Sequence, residues 1–141
     1  MALVYSSLCD GIGAAHVAWQ PLGWRCAFVS EVDPFANAVV EKRWGLPNLG
    51  DMTKITKERL NGHDGIDIVC GGTPCQSFSL AGLRGGMDDP RGNLALVFLR
   101  IVDMLRPRFC IFENVPYGKI SIRNIMEGSS KWKVFDKSLS F

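Results

Sequence analysis

The 141-residue sequence contains no apolar run approaching the length of a membrane span. Its opening, Met1-Ala2-Leu3-Val4-Tyr5, has no basic group ahead of the apolar residues, so it does not read as a secretory signal. Five cysteines is an odd number, and none stand as a C-x-x-C pair or beside a histidine cluster. That excludes a disulfide scaffold and predicts no metal site. There is no low-complexity tract, no internal repeat and no G-X-Y period. Charge of one sign is also scarce: 16 Lys and Arg against 14 Asp and Glu leave a net +2. Without an export signal the expected setting is the reducing cytoplasm, where most cysteines serve as small core residues.

What is present suits one globular domain. The apolar share is 47% and the charged share 21%, near the averages for soluble folds. A chain of this length buries roughly two-thirds of its unfolded surface. The charges are unevenly spread. Residues 1–70 hold 6 Lys and Arg against 8 Asp and Glu, and residues 71–141 hold 10 against 6. The second half is the basic one, a hint of a polyanion on that side.

Short apolar runs alternate with helical patterns. Strands are expected at residues 3–8, 26–29, 66–70 and 109–112, with a short extended piece at 46–49. Helices are expected at 14–22, from Pro34 to about Trp44 with Gly45 as the stop, at 93–105, and as a short piece at 54–60. The strands are almost continuously apolar. This predicts an α/β fold with a doubly wound, mostly parallel sheet covered on both faces, incomplete in this chain. Ligands bind such sheets at the carboxyl ends of the strands. After Pro116 the pattern weakens, which divides the chain into a domain at 1–116 and a divergent basic tail at 117–141.

Two groups of residues fall at those strand ends. Gly11-Ile12-Gly13 follows a strand and opens a helix, so backbone N–H groups can approach a ligand closely. Glu31 comes 20 residues after Gly11, at the end of the next strand, where an acid accepts hydrogen bonds from ribose hydroxyls. His16 stands where a third glycine would complete the dinucleotide fingerprint, so an adenosyl ligand without a pyrophosphate fits at least as well as NAD. Asp51, after Gly50, is placed to hold an adenine amino group. The second group is Gly71-Gly72-Thr73-Pro74-Cys75-Gln76-Ser77-Phe78-Ser79. Pro74 fixes its own φ and keeps Thr73 extended, which presents Cys75 beyond the sheet edge as a candidate nucleophile. Glu113-Asn114-Val115-Pro116 follows the last strand. Phe112 and Val115 flank Glu113, so partial desolvation is expected to raise its pKa and let it donate a proton.

Together these segments resemble the cytosine-C5 DNA methyltransferases over residues 4 to 116, with the motifs in the family's order. Leu8-Cys9-Asp10-Gly11-Ile12-Gly13 resembles the first cofactor motif, Glu31-Val32 the ribose and adenine contacts, and Gly50-Asp51-Met52 the third cofactor motif. The Pro74-Cys75 loop is similar to the catalytic loop, Arg91-Gly92-Asn93-Leu94 to the next helix motif, and Glu113-Asn114-Val115 to the acid motif. The resemblance implies a Rossmann-like methyltransferase fold, S-adenosylmethionine as cofactor and duplex DNA with a flipped cytosine as substrate. It implies catalytic roles for Cys75, Glu113, Pro74 and Asn114. It implies cofactor contacts from Leu8, Asp10, Gly11, Ile12, Gly13, Glu31, Val32, Asp51, Met52, Pro74, Asn93 and Leu94. Cys75 would add to C6, Glu113 would hydrogen-bond or protonate N3, and C5 would take the methyl group.

The sequence departs from the family in three ways. Cys9 stands where family members usually carry Phe, and Tyr117 where they carry Gly. No later Gln-x-Arg-x-Arg motif, target-recognition region or final Gly-Asn segment is found. The reading is therefore a truncated or split enzyme of the restriction-modification type, with a second chain able to supply target recognition. The alternatives are a catalytically inactive cofactor-binding remnant or partner subunit, a relative acting on tRNA cytosine, and an NAD-dependent dehydrogenase. The last leaves Cys75 and Glu113 without roles.

Overall fold

The structure is a computed structural model and describes residues 2–73 and 94–113. Four strands, β1 (Val4–Leu8), β2 (Arg25–Ser30), β3 (Ile68–Gly71) and β4 (Phe109–Phe112), form one sheet in the order β2-β1-β3-β4. All three pairings are parallel. The extended piece expected at 46–49 adds a partial fifth strand beside β2. There Val29 N–H donates to Pro47 O at 2.8 Å, and Leu49 N–H to Val29 O at 2.9 Å.

Helix α1 (Ala14–Trp19) starts at Gly13, whose φ of 85° is in the left-handed region. A Cβ there would stand 2.5 Å from the Trp44 ring. Helix α2 (Pro34–Trp44) is set by Asp33, whose carboxylate accepts the Ala36 N–H at 2.8 Å, and is closed by Gly45 at φ 59°. Helix α3 (Leu94–Leu105) buries Ala95, Val97, Phe98, Ile101 and Val102, a stripe at helical spacing.

Side chains alternate across the strands and so separate two layers. Leu8 and Val69 join Phe28, Met52, Ile55 and the α3 stripe in the main core, with Phe98 edge-on to Phe112 at 4.9 Å. On the opposite face Tyr5 meets α1: its ring lies 4.8 Å from Trp19, and its hydroxyl is 2.7 Å from His16 Nδ1. His16 in turn packs 4.9 Å from Trp44 of α2. The α/β parallel fold expected from the apolar runs is thus present.

Two expectations need correction. The helix at 14–22 ends at Trp19 and tightens to a 3-10 turn over Gln20–Leu22, because Pro21 cannot supply an N–H for continuing the α-helix. The short helix expected at 54–60 is replaced by 3-10 turns at Met52–Lys54 and Glu58–Leu60. Asp51 caps the first turn through Thr53, and Ile55 extends (ψ 115°) into the core.

Candidate functional site

The carboxyl ends of β1, β2, β3 and β4 bring Asp10, Glu31, Thr73 and Glu113 to one edge of the sheet. The turn after β1 is tight. Cys9 takes a left-handed φ of 52°, and Gly11 follows at 60°. A Cβ on Gly11 would meet nothing within 4 Å among the described residues, so the turn is open toward them. Asp10 N–H donates to Ser30 O at 3.2 Å, which ties the turn to β2.

Glu31 is the hub of this end. Its Oε2 accepts the Gly11 N–H at 2.7 Å, and its Oε1 accepts the N–H groups of Val32 at 2.7 Å and Asp33 at 2.8 Å. A carboxylate has about four acceptor sites, so these donors orient the group and leave room for another. Asp51 stands at the neighbouring turn. Its Oδ1 accepts both the Thr53 N–H at 2.9 Å and the Thr53 hydroxyl at 2.8 Å. Those bonds hold its carboxyl below the usual range. Oδ2 faces Lys54 at 3.8 Å. Ile12 and Val32 remain well exposed, at 59% and 65%, as apolar walls beside the Gly11–Glu31 contact. Leu8 and Met52 are buried in the core beneath it, so they support the site from below.

Asp10 is the unusual acid. It is only 8% exposed, and among the described residues neither carboxylate oxygen has a hydrogen-bond partner at ordinary geometry, although Ser7 lies close. Burial lifts its pKa above the ordinary carboxylate range, and the Glu31 charge adds to this; Ser7 and His16 pull the other way. His16 is pushed down by burial, against the pull of Asp10. Cys9 lies against Met52 with Sγ 3.4 Å from Sδ. Burial, then Glu31 and Asp51, push its thiol up to about 11.

At the other end, Glu113 N–H donates to Gly71 O at 3.0 Å. The Glu113 carboxyl lies over Gly72: a Cβ there would stand 2.7 Å from Oε2. Glu113 is exposed, and Val115, which with Phe112 is expected from the sequence to shelter it, lies outside the described residues. Burial pushes Cys26 up to about 12, Cys70 to about 11 and Cys110 to about 12. Among the described residues no cysteine is therefore a ready thiolate. Leu94 opens α3 and is half-buried against the main core. Pro74, Cys75, Asn93 and Asn114 lie outside the described residues, as does the tail at 117–141.

The reading from sequence overlooked Asn48. Its Oδ1 accepts the N–H groups of Glu31 at 3.1 Å and Gly50 at 2.9 Å, and its Nδ2 donates to Glu31 O at 3.1 Å and to Asn37 Oδ1. Among the described residues no cluster of side chains is suited to a metal, and no helix is long and apolar enough to cross a membrane.

Comparison with known proteins gives this geometry a context. Residues 4–119 match the model of the C-5 cytosine-specific DNA methylases. A protein of Escherichia phage P1 described as a DNA N-6-adenine-methyltransferase is 46% identical over 125 residues, covering 81% of this chain and 17% of the relative. The Type II methyltransferase M.AquIA of Picosynechococcus is 41% identical over 119 residues, covering 77% of this chain and 47% of the relative. A crystal structure of a DNA modification methyltransferase from an Escherichia coli prophage superposes with a TM-score of 0.67 at 26% identity, over 90% of this chain and 36% of that one. The chain thus spans under half the length of each of these proteins.

Proposed function

Because the chain belongs to the C-5 cytosine-specific DNA methylase family, we propose that it carries the cofactor-binding and nucleophile-bearing part, within residues 1–116, of an enzyme that methylates C5 of cytosine in DNA. Family membership implies a methyl donor. S-adenosylmethionine, which supplies an electrophilic methyl group, is the donor that fits these residues. The open turn at Gly11 admits an adenosyl group, Glu31 has acceptor capacity left for ribose, and Ile12 and Val32 offer apolar walls to a purine. Asp10, buried in this turn, contributes a negative potential that suits the ammonium of the methionine part. The same carboxylate disfavours a pyrophosphate at this turn, which counts against NAD.

The observation that carries the reading is the placement of the Glu113 carboxyl on Gly72. Cys75 follows three positions after Gly72, so covalent reach alone keeps their Cα atoms within about 11 Å. An acid and a thiol held that close can serve N3 and C6 of one pyrimidine. In this reaction the Cys75 thiolate forms the S–C6 bond. Glu113 donates a proton or hydrogen bond to N3, so the electron pair released from the C5–C6 double bond is available at C5. After methylation the C5 proton leaves, the S–C6 bond breaks and the double bond returns. Asp10, Gly11, Glu31 and Asp51 orient the donor, and the gain is mainly one of positioning. The raised pKa values of the described cysteines leave Cys75 as the candidate for the thiolate.

Methylation of an adenine amino nitrogen, as named for the phage P1 relative, would use the nitrogen lone pair and leave Cys75 and Glu113 idle. A second reading follows from the share of each relative that the chain spans: a donor-binding unit silent in catalysis. One experiment separates these readings. The chain is mixed with S-adenosylmethionine and duplex DNA containing 5-fluorocytosine. A denaturant-resistant adduct that disappears in Cys75→Ser supports the proposed chemistry. Donor binding with no adduct supports the silent unit. An adduct that persists in Cys75→Ser would sink the mechanism.

A further inference from the structure

We propose that Asn48 is a positioning residue that fixes Glu31 relative to the Gly50–Asp51 turn, and that donor affinity depends on it. The inference rests on the donor-site reading above. Asn48 stands on the partial strand beside β2, with its backbone bridged to Val29. Its side-chain oxygen takes two backbone donors whose identity is unambiguous, Glu31 N–H and Gly50 N–H. That settles which end of the amide is oxygen. The nitrogen end then gives its two protons to Glu31 O and Asn37 Oδ1, so every hydrogen-bonding site of the amide is used. Asn37 braces the same carbonyl, its Nδ2 reaching Glu31 O at 3.4 Å.

One planar group thereby joins the two acid-bearing turns. Glu31 is gripped at both its N–H and its C=O. Gly50, at φ 71°, is held at its N–H by Asn48 and at its O by the Ser30 hydroxyl at 2.5 Å. The next residue is Asp51. Aspartate at position 48 would keep the acceptors but set a carboxylate against Glu31 O and Asn37 Oδ1. Alanine would remove all four bonds. Asn48 is solvent-exposed, and the Ser30–Gly50 bond remains in either variant, so water can replace the lost partners and the fold persists. The loss falls on the alignment of the two acids.

The test measures binding of S-adenosylmethionine and of 5′-methylthioadenosine to the full chain by calorimetry. It compares wild type, Asn48→Ala, Asn48→Asp, Asn37→Ala and the Asn37→Ala/Asn48→Ala double variant. Both Asn48 variants are expected to bind each ligand about tenfold more weakly, with thermal midpoints close to wild type. Because the methionine part makes no use of Asn48, the fold-change is the same for the two ligands. Asn37→Ala is expected to show a smaller loss in wild type and none beyond that of Asn48→Ala in the double variant. If wild type binds both ligands and the Asn48 variants bind within twofold of it, the inference fails while the donor site stands. If wild type binds neither ligand, the donor-site reading fails, and this inference with it.

Discussion

Adjacent glycines at the end of β3 should be destabilised to very different degrees by the same added methyl group. At Gly71 a Cβ would stand 2.2 Å from Leu8 O, a backbone atom of the neighbouring strand. Relief needs a shift of about 1 Å between strands that normally lie ~4.8 Å apart. A bond lengthened by that much leaves hydrogen-bonding range. The β1–β3 ladder runs from Tyr5↔Ile68 to Leu8↔Gly71, and losing its last bonds with part of the Leu8 packing costs about 3–4 kcal/mol. At Gly72 the nearest atom is Glu113 Oε2 at 2.7 Å, the free end of a side chain that can swing away. The Glu113 carbonyl at 3.0 Å must give by a few tenths of an ångström, so about 1 kcal/mol is expected. Urea unfolding followed by far-ultraviolet circular dichroism measures both. With a slope of about 2 kcal/mol/M, Gly71→Ala should lower the midpoint by about 1.5–2 M and Gly72→Ala by about 0.5 M. Equal shifts for the two variants would refute this account of the strand end. Gly72→Ala should also depress adduct formation with 5-fluorocytosine DNA, since its methyl group displaces the acid.

The paired Tyr5 and His16 give a second test: Tyr5→Phe leaves His16 Nδ1 buried without its 2.7 Å partner and should cost about 1–3 kcal/mol in the same urea assay. Asp10 gives a pH test. Its folded pKa is raised, so the folded state holds the proton more tightly than the unfolded chain does. The stability this contributes is present below the ordinary value of 3.8 and is lost as pH rises through the raised folded value. Asp10→Asn should therefore be more stable than wild type at neutral pH, with the difference shrinking as pH falls through that window. A difference that is constant from pH 7 to pH 4 would contradict the buried, unpaired carboxylate.

How much could be read in advance depends on how local the signal is. The strands were legible because parallel strands are buried on both faces and read as apolar runs, such as 66–70. The placing of Gly11 and Glu31 at neighbouring strand ends was legible from their apolar strands and spacing, but the 2.7 Å bond between them was not. The 3-10 turns after Asp51 were not, because the burial of Ile55 against α3 and β2 overrides helical spacing. Asn48 carried no local signal at all. Its partners Glu31 and Asn37 lie 17 and 11 residues away and meet it only once the sheet has formed.

The strand order also bears on how the domain assembles during synthesis. β1 precedes the other three described strands in sequence yet ends inside the sheet, between β2 and β3. The hub formed by Gly11, Glu31 and Asn48 draws only on residues 11–48. One side of β1 can therefore pair early, through contacts of short sequence separation. Its other side stays open until β3 emerges some sixty residues later, as the pairing of Tyr5 with Ile68 requires. Until then the nascent chain exposes a strand edge and an apolar face that α3 will cover. Over the interval between β2 and α3 that strand edge and apolar face have no partner from this part of the chain.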